Sequence, residues 1–131
     1  MEKTTHNPTP WLQHFGLNHA VEVRGGERTL YLSGQTASDA DGAPMHPGDL
    51  VAQYKAAWDC LMAALGAADM DASNLVRLNF YTTDVPGFME QAEQITKHHI
   101  EAGATIASTL LGVSALYDPA IVIEIEATAV A

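Results

Sequence analysis

Residues Ile121–Ala129 read IVIEIEATA, with Ile121, Ile123 and Ile125 falling on one side and Val122, Glu124, Glu126 and Thr128 on the other. Strict two-residue alternation is the pattern of a strand with one buried face, so the segment predicts a sheet covered on one side only. Val76 to Thr83 (VRLNFYTT) alternates in the same way, setting Val76, Leu78 and Phe80 against Arg77, Asn79 and Tyr81. Leu110 to Leu116 reads as a further strand, separated from Ile121 by the turn-forming Tyr117, Asp118 and Pro119. Upstream, Asn18 to Val23 and Arg28 to Ser33 flank Arg24, Gly25, Gly26 and Glu27, which predicts a β-hairpin.

Two helices complete the pattern. Gly42, Pro44, Pro47 and Gly48 form a loop leading to Asp49, an N-cap for a helix with Leu50, Tyr54, Trp58, Leu61 and Leu65 at helical spacing and Gly66 at its end. Asp84 and Pro86 open a second helix with Phe88, Ala92, Ile95 and His99 inward and Gly103 near its end. The order ββαβαββ is that of an α+β single domain, its sheet backed by two helices. Leu30, Leu32, Val76, Leu78, Phe80, Ile121, Ile123 and Ile125 supply the expected core. Residues 1–10 are polar with two prolines and read as an N-terminal arm, ordered only if something holds it down; residues 11–131 form the domain.

Composition narrows the classes. At 131 residues there is room for one core. No apolar run approaches the ~18 residues of a membrane span, and neither a membrane helix nor a secretory leader is expected. A formal charge of −10 repels phosphate backbones and acidic membranes, which argues against nucleic acid as a partner. Cys60 is the only cysteine, so no internal disulfide or thiolate zinc site is expected, and a cytoplasmic location is the simplest reading. Within its apolar run Cys60 reads as a core residue. The six histidines, His6, His14, His19, His46, His98 and His99, show neither HxxxH nor HExxH spacing, and no metal site is expected. No phosphate-binding glycine loop occurs, so nucleotide cofactors are not indicated, and no GxSxG elbow supports a serine nucleophile.

The chemistry-bearing feature is the pair Glu124 and Glu126, two residues apart on one strand and therefore on one face. Neighbouring carboxylates oppose each other's ionisation, so one of them is a candidate for a raised pKa and for general-base work on a water. The alternative is structural, with both acids paired to Arg77 or to a neighbouring subunit. The face that carries them, with Tyr31, Ser33, Arg77, Asn79 and Tyr81, is either solvated or buried between subunits.

Three segments, YLSGQ at Tyr31 to Gln35, VRLNFYTTD at Val76 to Asp84 and IVIEIEA at Ile121 to Ala127, joined by GDLVAQ at Gly48 to Gln53 and ASTLLGV at Ala107 to Val113, resemble the Rid family, also called YjgF/YER057c/UK114. The resemblance runs from about residue 11 to the end. It implies a chorismate-mutase-like (YjgF-type) α+β fold, a homotrimer whose sheets surround a central barrel, and clefts between subunits. It further implies hydrolysis of enamines or imines to a carbonyl compound and ammonia without metal or organic cofactor. Ser33 and Glu124 occupy the family's serine and glutamate positions, and both are the expected catalytic residues.

The arginine that clasps a substrate carboxylate in such deaminases is replaced here by Ser108, the tyrosine before the first strand by Leu17, and the asparagine of the second helix by Ala92. A charge-assisted contact of that kind is worth about 1.5 to 3 kcal/mol, or one to two decades of affinity. The departures imply an atypical ligand that lacks a carboxylate and is oriented by Ser108 and Thr109, with Gly34, Gln35, Tyr81 and Arg77 also contributing to binding. Alternatively Arg77 or Arg28 supplies the cation. Trp11, Tyr81 and Tyr117 are candidate cleft walls. A non-catalytic trimer that binds a metabolite or a partner protein, and a specialised lyase or cyclase, remain as other readings.

Overall fold

The computed structural model describes residues 1–131. In chain order the strands are β1 (Glu2–His6), β2 (Ala20–Arg24), β3 (Thr29–Gln35), β4 (Leu75–Thr82), β5 (Ala107–Gly112) and β6 (Ile123–Val130). The helices are α1 (Leu50–Ala67), α2 (Val85–Glu90) and α3 (Ala92–Glu101). A mixed four-stranded sheet has the order β3-β6-β4-β5, antiparallel except for the β4–β5 pair, and a two-stranded antiparallel ribbon joins β1 to β2.

The alternation in β6 is realised throughout: Ile123, Ile125, Ala127 and Ala129 are buried, while Glu124, Glu126 and Thr128 lie on the opposite, half-buried face. Helix α1 covers the apolar face with Leu50, Tyr54, Ala57, Trp58, Leu61 and Leu65, and the Asp49 carboxylate accepts from the Ala52 amide at 3.1 Å as the sequence predicts. Gln53 on the same helix is fully buried. Its amide group donates to the carbonyls of Met45, His46 and Ala120, and its oxygen accepts from the Val122 amide at 2.9 Å, stitching the loop before α1 to the entry of β6. Replacing Gln53 by leucine strands the Met45 carbonyl and the Val122 amide, each costing roughly 1 to 3 kcal/mol when buried without a partner, while the His46 and Ala120 carbonyls keep their bonds from Asp49 and Gly48. The expected loss is about 2 to 4 kcal/mol in urea unfolding, and an unchanged midpoint would contradict this role.

Several sequence expectations are corrected. The β2–β3 hairpin does not form. Glu27 and Arg28 both donate their amides to the Ala131 carbonyl at 2.8 Å, so the end of the chain at Ala131 extends the ladder by which β3 pairs with β6, and β2 pairs with β1 instead. A Cβ on Gly26 would lie 2.4 Å from a Val130 methyl, which shows how tightly that end is wedged. Strand β2 pairs with residues 2–6 of the arm, and Lys3 fastens the ribbon to the main body by donating to the carbonyls of Ser73 and Leu75.

The second helix is broken at Gln91, whose φ of −109° and ψ of 17° depart from helix geometry. Asp84 still caps it, accepting from the Gly87 amide at 3.0 Å. Strand β5 starts at Ala107 and ends at Gly112, shifted toward the N-terminus of the predicted Leu110 to Leu116, because it follows β4 in parallel from Arg77–Ala107 to Thr82–Gly112. The pairing of Leu75 with Ala129 and of Arg77 with Thr128 leaves Val76 as an extra residue, so Leu75 enters the core in its place.

Candidate functional site

The open face of the sheet carries the carboxylates. Glu124 stands opposite Tyr81, and Glu126 opposite Asn79. The Tyr81 hydroxyl donates to Glu126 Oε1, and Asn79 Nδ2 donates to the same oxygen at 3.3 Å. That hydrogen bond favours the neutral phenol and pushes the Tyr81 pKa upward. Glu124 has no hydrogen-bond partner within the chain, and its pKa is raised, first by burial and then by the charge of Glu126. The pair is thus divided: Glu126 is engaged by neutral donors, while Glu124 is free to bind or release a proton.

Gly34 makes room for this arrangement. Between Leu32–Ala127 and Gln35–Ile125, β3 advances three residues while β6 advances two, so Ser33 and Gly34 form a bulge opposite Glu126, with Gly34 against the Glu124 side chain. A Cβ at Gly34 would lie 2.3 Å from Glu124 Oε1, although the φ of Gly34 lies outside the left-handed region. Gly34→Ala is therefore expected to turn the carboxylate out toward solvent and lower its titration midpoint. Side-chain carboxyl NMR reads that midpoint, and an unmoved value would mean that the glycine does not set the carboxylate's position. Gly34, Tyr81, Val113, Leu116, Glu124 and Glu126 line a shallow depression of about 330 Å³.

Ser33 is exposed on the bulge, and its carbonyl accepts from the Gln35 side chain at 3.1 Å, which folds Gln35 back onto its own strand. Arg77 makes no ion pair. Against the alternative in which it pairs with the two glutamates, it donates to Thr109 Oγ1 at 3.0 Å across the β4–β5 pair. Arg28 is turned away, donating to the Ala68 carbonyl at 3.0 Å. Tyr117 is bonded to Ser38 and to the Gly42 carbonyl and stands outside the depression.

Ser108 lies on the other side of the sheet from Thr109 and Glu124. It is in register with the buried Leu78, donates to the Leu78 carbonyl, and faces a second cavity of about 270 Å³ under the helices. The sheet itself therefore separates Ser108 from Glu124 within one chain. Leu17 and Ala92 line the same cavity, so the three positions that the resemblance marks as departures converge in one place. Alternation along β5 could have shown that Ser108 and Thr109 face opposite ways, but the shifted strand boundary concealed it.

A short 3-10 turn, Trp11–Phe15, roofs this cavity. It is held by α3, where buried His99 donates from Nε2 to the Phe15 carbonyl at 3.1 Å. Gly16 ends the turn at φ 67°, and a Cβ there would strike Ile100 at 2.3 Å. Phe80 and Phe88 meet edge to face at the inner wall, with ring centroids 5.5 Å apart. The sequence signalled this cavity only through isolated apolar residues, which read equally well as ordinary packing. No cluster of three or more histidine, cysteine or acidic side chains suited to a metal is present, and no helix is long and apolar enough to cross a membrane.

The sequence model of the family described as Endoribonuclease L-PSP matches residues 14–131. The chain is 35% identical over 99 residues to protein DfrA of Myxococcus xanthus, covering 76% of this chain and 73% of DfrA. The crystal structure of YyfB from Yersinia pestis, a protein of the conserved Rid family, is 33% identical and superposes with a TM-score of 0.88 over 100% of both chains. The structure of TdcF from E. coli with bound serine has a TM-score of 0.70 at 23% identity, over 87% of each chain, a likeness of fold.

Proposed function

This chain belongs to the endoribonuclease L-PSP family, also called Rid or YjgF/YER057c/UK114, and from that premise we propose that it is a cofactor-independent hydrolase of a C=N compound, an enamine or imine lacking a carboxylate. The observation that carries this reading is Glu124: a half-buried carboxylate without a protein partner, its pKa raised, beside an acid already satisfied by Tyr81 and Asn79. Such a group can take a proton from water as the water oxygen bonds to the imine carbon. It returns that proton to nitrogen, giving a carbinolamine, and then carries the carbinolamine's hydroxyl proton to nitrogen as the C–N bond breaks, releasing ammonia and leaving a carbonyl. Ser33, on the adjacent bulge, orients the substrate. The charge of −10 and the two glutamates on the open face weigh against RNA as the substrate.

The working unit in this reading is a cytoplasmic homotrimer. Tyr31 is 80% exposed and Leu111 49% exposed on the open face, and an interface between copies would bury both. A neighbouring copy also resolves the division of the site, since the Ser108 cavity of one chain and Glu124 of another can share a cleft where the two meet. The TdcF complex supports small-molecule binding by this fold.

The test uses an imine produced by an amine oxidase from a primary amine, with 2-iminopropanoate as the carboxylate control. Faster decay of the amine-derived imine to aldehyde and ammonia is expected, with little effect on 2-iminopropanoate. No acceleration of either would contradict the proposal. A second reading, a non-catalytic binding trimer, is favoured by the convergence of Leu17, Ala92 and Ser108 in an apolar cavity, and binding without turnover would select it.

A further inference from the structure

Apart from the Trp11 indole N–H at its exposed mouth, the polar side chains of the cavity beneath the 3-10 turn are hydroxyls. Its walls are Trp11, Phe15, Leu17, Phe80, Phe88 and Leu110, with Ser108 and Thr96 as its hydroxyls, and no lysine or arginine lines it. Both hydroxyl hydrogens are already committed: Ser108 donates to the Leu78 carbonyl, and Thr96 donates to the Ala92 carbonyl at 2.8 Å. A hydroxyl that has given its hydrogen away presents lone pairs. Each can accept from a ligand, and neither can donate to one.

That asymmetry selects the ligand. A carboxylate or phosphate entering here would lose its water and find no cation and no hydroxyl hydrogen on the inner walls, whereas a neutral ring would exchange water for aromatic edges and faces. An apolar cavity of about 150 Å³ accepts benzene; at about 270 Å³ this one has room for a fused pair of rings. Trp11 stands at the mouth, 60% exposed, and can close over such a ring.

We propose that this cavity binds an uncharged aromatic group bearing one N–H or O–H donor, its ring between Trp11, Phe80 and Phe88 and its donor hydrogen on Ser108 Oγ. The inference deepens the proposed function, and it rests on that reading in making the aromatic group part of the substrate. It gives the C=N compound an aromatic, uncharged body and explains why no arginine is needed.

The experiment is a methyl NMR titration of the full chain, labelled at leucine and methionine methyls, with indole, 1-methylindole and indole-3-carboxylate as probes. Indole is expected to shift the methyls of Leu12, Leu17, Met89 and Leu110 saturably. 1-Methylindole, which lacks the donor, should bind several-fold more weakly, and the carboxylate about a hundred-fold more weakly. Ala92→Phe should abolish the shifts by filling the cavity. Trp11→Ala, at an exposed position that leaves the core intact, should weaken indole about tenfold. Failure of indole to move these methyls in a folded protein would overturn the inference, as would equal binding of the carboxylate. Because the readout is binding, indole recognition without imine turnover would sink the hydrolase and leave the cavity's specificity standing.

Discussion

Glu124→Gln is expected to lower imine turnover by about a hundred-fold to ten-thousand-fold, the range spanned by general acid–base groups, while leaving ligand binding near its original strength. The same substitution should make the protein more stable at neutral pH. Burial and Glu126 raise the Glu124 pKa above its ordinary value of 4.5. Between the unfolded and folded pKa values the folded state therefore holds more protons, and stability falls as pH rises through that window. Above it, ionised Glu124 carries the full cost, which glutamine does not. Melting temperatures of the two proteins should thus diverge at pH 7, with the variant higher, and converge below the unfolded carboxyl pKa. Unchanged turnover would remove Glu124 from the chemistry. Equal melting temperatures at pH 7 would remove the electrostatic argument for choosing it over Glu126.

The second large effect concerns Ser108. Ser108→Arg would put a guanidinium among Leu17, Ala92 and the aromatic walls, supplying the donors that the present hydroxyls withhold. For a carboxylate imine such as 2-iminopropanoate, kcat/KM should rise by about one to two decades, corresponding to roughly 1.5 to 3 kcal/mol for a charge-assisted bond. Losing the Ser108 bond to the Leu78 carbonyl should cost about 1 kcal/mol of stability. Binding of neutral indole should weaken at the same time, because the new side chain occupies the ring's space. A folded variant with no gain toward the carboxylate would show that this cavity does not adjoin the reacting carbon.

What the sequence revealed and what it concealed follow from how local the causes are. The alternation in β6, the apolar spacing in α1 and the caps Asp49 and Asp84 depend on neighbours within a few residues, and all appear as expected. The β2–β3 hairpin fails because Ala131, about a hundred positions away, takes the amides of Glu27 and Arg28. Val76 loses its core place to a bulge that only the partner strand imposes. At the site, the shared face of Glu124 and Glu126 was legible from their spacing. The division of labour between them was not, since it turns on Tyr81 and Asn79 reaching Glu126 across a strand pair. Arg77 looked like the natural partner of the acids by charge, but its side chain runs the other way to Thr109. Gly34 carried its signal in plain view, a glycine facing the glutamate strand, and its function becomes clear only when the Cβ it lacks is placed against Glu124.

The claim beneath these predictions is that Glu124 and the Ser108 cavity act together across a boundary between copies of this chain. Sedimentation equilibrium at micromolar concentration tests it most directly. A particle of about 42 kDa, three chains of 14.0 kDa, is the expected result. A stable 14.0 kDa monomer would leave the two half-sites on opposite faces of one sheet and contradict the account.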